Sequence, residues 1–284
     1  MTIAKEKPGL LNRISHAFTR MTDEMPVSRE SYEKARGVSV RIEKLNKYFN
    51  DNHVLKDIDL EVHPGETFSI IGPSGTGKSV LLKHIVKLQT PDSGRVLVDG
   101  VDVNQSSGVA VARTFSYSMV FQTSALFNSL TVGENVGLWL REKQVFRESR
   151  IRRIIREKLR LVGLGGKEEL ETSELSGGMR KRVAIARSLA MNPDLILYDE
   201  PTAELDPVTT DELARVIENL KSMVNLTTII VSHDLNFALY LSDRVAMMHD
   251  GRIIEIGTPD EIKKSENPII RKFIYTTTKG LKGD

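Results

Sequence analysis

The sequence predicts an α/β fold, a mainly parallel sheet flanked by helices and interrupted by one helical insertion. Three observations lead there. Short apolar runs bounded by turn residues, TFSII (67–71), DLILY (194–198) and TTIIV (227–231), read as strands buried on both faces. A helical pattern, KSVLLKHIVKL (78–88), follows the first run directly, so strand and helix alternate and right-handed crossovers are expected. Between Gln122 and about Pro193 the pattern turns helical.

Taken in order, VSVRIEKL (38–45) and IDLEV (58–62) alternate apolar and polar residues, as half-exposed strands do. Within the insertion, IRRIIREKLRLV places Ile151, Ile154, Ile155, Leu159 and Val162 on one helical face. Arginines 150, 152, 153, 156 and 160 lie opposite. We read them as a solvated face rather than a nucleic-acid surface.

Composition narrows the classes further. A chain of 284 residues with 40% apolar content can bury a substantial core, which excludes disorder throughout. Forty basic residues against 38 acidic leave a net charge of +2, so nothing global argues for nucleic acid. Cysteine is absent, which rules out disulfides and thiolate metal sites. No apolar run approaches the length of a spanning helix, and MTIAKEKPGLLNR lacks a signal-peptide core. The expectation is a cytosolic chain that reaches a membrane only by docking.

The strongest chemical signal is GPSGTGKS, residues Gly72, Pro73, Ser74, Gly75, Thr76, Gly77, Lys78 and Ser79, which fits G-x-x-x-x-G-K-S between a strand and a helix. A triphosphate carries several negative charges, so a loop that binds it must present many donors at close range. The glycines let backbone N–H groups approach, the helix dipole adds positive potential, Lys78 reaches the β and γ oxygens, and Ser79 can ligate Mg²⁺. LILYDE (195–200) then ends a buried strand in two carboxylates, where open α/β sheets bind ligands. Asp199 is placed to hold the Mg²⁺ shell and Glu200 to orient or deprotonate an attacking water. LSGGM, with Ser176, Gly177 and Gly178, is a second donor-rich helix N-terminus. Because it closes the helical insertion, it is expected to face the nucleotide of a second copy, in a head-to-tail dimer.

With these motifs in this order, residues 38–262 resemble the nucleotide-binding subunit of ATP-binding cassette (ABC) transporters. The resemblance implies a RecA-like core, an antiparallel β subdomain and a helical signature subdomain at about 123–190. It implies that Phe49, or its neighbour Tyr48, stacks on adenine. Gln122 would touch Mg²⁺ and the attacking water, Asp206 would contact the dimer partner, and His233 would hold the γ-phosphate. Two residues depart from the family pattern. Val80 stands where a hydroxyl residue is common and could have reached the α-phosphate, and Glu204 stands where glycine is common.

VFQTSALFNSLTVGENV (120–136) is also explained by that resemblance: ALF and LTV would form a groove for a short helix of a membrane permease, reported on by Gln122. The alternative is that Leu126, Phe127, Leu130 and Val132 pack inside the insertion, and some of each is expected. FQTSALFNSLTVGENVGLWLRE further resembles the ATPases of Mla-type phospholipid transporters. That implies two such ATPases with two permeases, a lipid-binding partner of the mammalian-cell-entry type and in some systems a small regulatory subunit, at the cytoplasmic face of the inner membrane, with no nucleic acid. An ATPase serving a polar-solute, amino-acid-like importer is the competing reading, because the nucleotide motifs are shared.

Outside the cassette, residues 1–37 form an extension. Leu10, Ile14, Phe18, Met21 and Met25 make a helical stripe there that fits an anionic membrane, the permease or its own domain. Residues 263–284 read as a polar tail that reaches across the dimer or frays.

Overall fold

The structure is a computed structural model that describes residues 36–106, 111, 115–144 and 146–279. The expected N-terminal stripe therefore lies outside the described residues. β1 (Val40–Phe49) and β2 (Asn52–Val62) form an antiparallel hairpin. With β4 (Ser93–Val98) and β5 (Val101–Asp102) they make a four-stranded sheet in the order β2-β1-β4-β5.

The second sheet contains β3 (Thr67–Ile71), β6 (Tyr117–Val120), β7 (Leu195–Asp199), β8 (Thr227–Ser232), β9 (Arg244–His249) and β10 (Arg252–Gly257). Its order is β10-β9-β3-β8-β7-β6, parallel throughout except for β10. Every residue of β3, β7 and β8 is buried, as suits short, mainly apolar parallel strands. Thr227 joins the two sheets: its Oγ1 accepts from Val38 N at 2.9 Å and donates to Val38 O at 2.6 Å.

Helix α1 (Lys78–Ile85) follows β3. The insertion between β6 and β7 contains α2 (Val132–Glu142), α3 (Glu148–Leu161) and α4 (Gly177–Ala190). A capping box between Thr131 and Glu134 starts α2. On α3 the apolar stripe is buried and Arg152, Arg153, Arg156 and Arg160 are exposed, as the periodicity demands. Beyond β7 come α5 (Pro207–Met223), α6 (Leu235–Leu241), α7 (Pro259–Lys264) and α8 (Pro268–Lys279). At the root of the insertion Asp194 accepts from Ser116 N at 2.8 Å, a pair 78 positions apart.

Two expectations need correction. The helix from Lys78 stops at Ile85, short of residue 88, and Lys87 turns to a left-handed φ of 55°. The C-terminal stretch is not a loose tail. Ile270 is fully buried with Ile71, Leu235, Val245 and Ile262, and Phe273 and Ile274 pack beside it, so α8 belongs to its own cassette. The i, i+3, i+4 spacing of these three residues is what seats the helix. Among the described residues no helix is long and apolar enough to cross a membrane.

Candidate nucleotide site

The loop from β3 to α1 sets the site. Gly77 caps α1 at φ 103°, and a Cβ there would come within 2.9 Å of Leu55 Cδ2, so only glycine fits. Lys78, 5% exposed, turns its ammonium back onto the loop, donating to Gly72 O at 2.8 Å and Pro73 O at 3.0 Å. Thr76 Oγ1 also donates to Pro73 O, at 3.0 Å.

At the end of β7, Asp199 Oδ1 accepts from Ser79 Oγ at 2.6 Å. Burial pushes the Asp199 carboxyl above its usual range, and the Ser79 hydrogen bond opposes that shift. Glu200 turns to a left-handed φ of 49°, a conformation costing about 1 kcal/mol for a residue with a Cβ. Its Oε2 accepts from His233 N at 3.1 Å and lies 2.8 Å from His233 Nδ1, while Oε1 stands 3.4 Å from Lys78 Nζ. Val54, Ser74, Gly75, Gly77, Lys78, Ser79, Val80, Gln122, Glu200 and His233 line one cavity of about 320 Å³. Val54 was invisible to sequence reasoning, because an aliphatic residue in a strand carries no chemical signal.

The donor set fits a magnesium nucleotide. Ser79 and Asp199 offer adjacent hard oxygens, which suit Mg²⁺. Among the described residues no group of three or more acidic or histidine side chains could enclose a metal alone. An ion here would need phosphate and water oxygens, which is the habit of Mg²⁺ rather than of a protein-caged metal.

The two aromatic candidates differ. Tyr48 already stacks on His53, with ring centroids 4.0 Å apart and an interplanar angle of 13°. Phe49, 41% exposed, carries only the Lys47 ammonium 5.5 Å above its ring. Both rings keep exposed surface, Tyr48 at 45% and Phe49 at 41%. Asp92 anchors this corner by accepting from Tyr48 N at 2.6 Å and Lys47 Nζ at 3.2 Å.

The second donor-rich helix N-terminus lies apart. Ser176 caps α4, accepting from Met179 N at 3.3 Å, and Asp206 caps α5, accepting from Thr209 N at 3.0 Å. Neither these residues nor Gly177 and Gly178 line the cavity. A Cβ on Gly178 would fall 2.3 Å from Thr209 Cγ2, so close packing of α4 on α5 is itself a reason for glycine there. The loop before α5 borders a neighbouring cleft of about 1040 Å³ that shares Gln122 and His233 with the cavity. Glu204 in that loop sits at φ 68°, a conformation that glycine would adopt without strain.

The segment after Gln122 divides as its mixed character suggests. Val132 is fully buried, and Leu126 and Ala125 pack against the main core. Phe127 and Leu130 are half-buried and remain outside it. Asn135, fully buried, holds their backbone: its Oδ1 accepts from Phe127 N at 2.9 Å, and its Nδ2 donates to Phe127 O and Leu130 O at 3.1 Å. Sequence reasoning did not single out Asn135. A polar residue on the inner face of an amphipathic helix was the available signal.

The chain is similar to several known proteins. A family model described as ABC transporter matches residues 55–203, more than half the chain. The probable ribonucleotide transport ATP-binding protein mkl of Mycobacterium leprae is 38% identical over 240 residues, covering 84% of this chain and 69% of its own length. The glutamine transport ATP-binding protein GlnQ of Geobacillus stearothermophilus is 41% identical over 218 residues, covering 77% of this chain and 90% of its own. Among solved structures, a dimer of the ATP-binding cassette MJ0796 in a post-hydrolysis state with ADP and Pi aligns with a TM-score of 0.69 at 32% identity, covering 78% of this chain and 98% of that one.

Proposed function

The chain belongs to the ABC transporter family as its ATP-hydrolysing subunit, and from that premise we propose that it energises a phospholipid transporter of the Mla type. The observation that carries the ATPase chemistry is the single cavity shared by Lys78, Ser79, Gln122, Glu200 and His233. The support for lipid cargo is the segment FQTSALFNSLTVGENVGLWLRE, which resembles its counterpart in that group.

In the proposed mechanism the loop from Gly72 to Ser79 and Val80 cradles the triphosphate through backbone N–H groups, and Phe49 stacks on the adenine. Lys78 exchanges its loop carbonyls for the β and γ oxygens. Ser79, Asp199 and Gln122 would hold Mg²⁺, which when bound neutralises charge on those oxygens. Glu200, oriented by His233, takes a proton from the attacking water, and the His233 side chain then steadies the departing phosphate. Ser176, Gly177, Gly178 and Asp206 serve the cavity of a second copy in a head-to-tail homodimer. Phe127 and Leu130 receive a helix of the permease, which places the subunit at the cytoplasmic face of the inner membrane. A mammalian-cell-entry-type lipid-binding protein, and in some systems a small regulatory subunit, complete the complex.

Gentle purification of the tagged protein from its native membranes, with mass spectrometry of copurifying polypeptides and lipids, tests this reading. A permease with a mammalian-cell-entry protein and phospholipid is expected. A different permease with a soluble solute-binding protein would overturn the cargo and favour a polar-solute importer, the reading that the 41% identity to GlnQ supports.

A further inference from the structure

We propose that Lys181, together with Arg187, is a positioning residue that holds the Gln122 segment from α4, so the helix that begins at Ser176 also sets Gln122 in the neighbouring cavity. The proposal rests on the reading of Gln122 given above. Lys181, 5% exposed, donates its ammonium to the carbonyl of Gln122 itself. Further along α4, Arg187, 3% exposed, donates to Ser124 O at 2.9 Å and Ala125 O at 2.7 Å. Three carbonyls within four residues are thereby gripped by two buried cations of one helix.

The backbone there needs the grip. Ser124 and Ala125 sit consecutively at left-handed φ values of 61° and 46°, a conformation that residues with a Cβ keep only when their surroundings impose it. β6 ends at Val120, so no strand takes these carbonyls, and α4 supplies the donors instead. Burying two cations is a costly route to stability, because aliphatic residues would pack there without desolvating a charge. The arrangement makes sense as placement. Burial holds the Lys181 ammonium below its usual range, and the charges of Glu204, Asp199 and Glu200 oppose that shift.

The test is a double-variant cycle on the assembled transporter, purified in nanodiscs, with ATP turnover and nucleotide binding both measured. Gln122→Ala and Lys181→Met are each expected to lower kcat about tenfold, with KM for ATP changed less than about twofold. The double variant should be no slower than the slower single one, and Lys181→Arg should keep most of the rate. Losses that multiply to about a hundredfold, or a change in KM alone, would overturn the positioning role. A wild-type rate in Gln122→Ala would overturn the reading of Gln122 and this proposal with it, whereas a slow Gln122→Ala beside an unaffected Lys181→Met would overturn the proposal alone. If Lys181→Met does not assemble, Lys181→Gln carries the same cycle.

Discussion

Lys78 and Glu200 stand 3.4 Å apart, Nζ to Oε1, with side chains only 4% and 12% exposed. The proposed phosphate-binding cation and the proposed base are therefore neighbours. Each has a second anchor, Lys78 in the carbonyls of its own loop and Glu200 in His233. Nucleotide binding in the proposed mechanism draws the ammonium toward phosphate and leaves Glu200 to His233 and water.

Glu200→Gln keeps the size and the hydrogen-bond capacity but removes the base. ATP binding is expected to persist while kcat falls by a factor of roughly 10² to 10⁴, the span of general-base contributions. Turnover in the assembled complex near the wild-type rate would remove Glu200 from its role.

Lys78→Ala deletes the cation from the cradle. Losing charge-assisted hydrogen bonds worth about 1.5–3 kcal/mol should weaken ATP binding roughly 10- to 150-fold, read by calorimetry. Unchanged affinity would show that the loop binds something other than phosphate.

Phe127→Asp puts a charge where an apolar partner helix is proposed to dock, while Asn135 still holds the backbone. The subunit should retain ATP binding and lose the permease in a pull-down. If the complex survives intact, the permease docks elsewhere.

Asp92→Asn tests the corner that carries Phe49. The backbone N–H of Tyr48, with the Lys47 ammonium beside it, holds the Asp92 carboxyl below its usual range. Stability from a lowered carboxyl is fully present above the unfolded value, about pH 4, and is lost as pH falls through the folded one. The variant should therefore melt lower than wild type at pH 7, and the two melting curves should converge below about pH 4. A difference that stays constant across this range would mean that Asp92 acts through packing alone.

Much of the architecture was legible in the chain because its central strands are short, mainly apolar runs, and the loop from Gly72 to Ser79 sits between a strand and a helix just as its chemistry requires. Other features stayed hidden. Lys181 and Arg187 read as ordinary charges after LSGGM, since their partners are carbonyls 59 and 62 positions away and carbonyls have no letter in a sequence. Helix α8 was obscured for another reason: its threonines and lysines raise the segment's average polarity, though Ile270, Phe273 and Ile274 keep the helical spacing. The stack of Tyr48 on His53 was hidden too, because only the pairing of β1 with β2 brings the two rings together.

The 78 positions between Ser116 and Asp194 bear on how the molecule assembles itself. Bringing β6 beside β7 closes a long loop, and for a flexible chain of that length the length-dependent entropy cost is about 4 kcal/mol. An insertion already folded from α2 to α4 would present its two ends near each other and remove most of that cost. The expected order of assembly is therefore helices of the insertion first, edge strand β6 afterwards. Substitutions that loosen the insertion should accordingly slow refolding more than they speed unfolding, the opposite of those in α8.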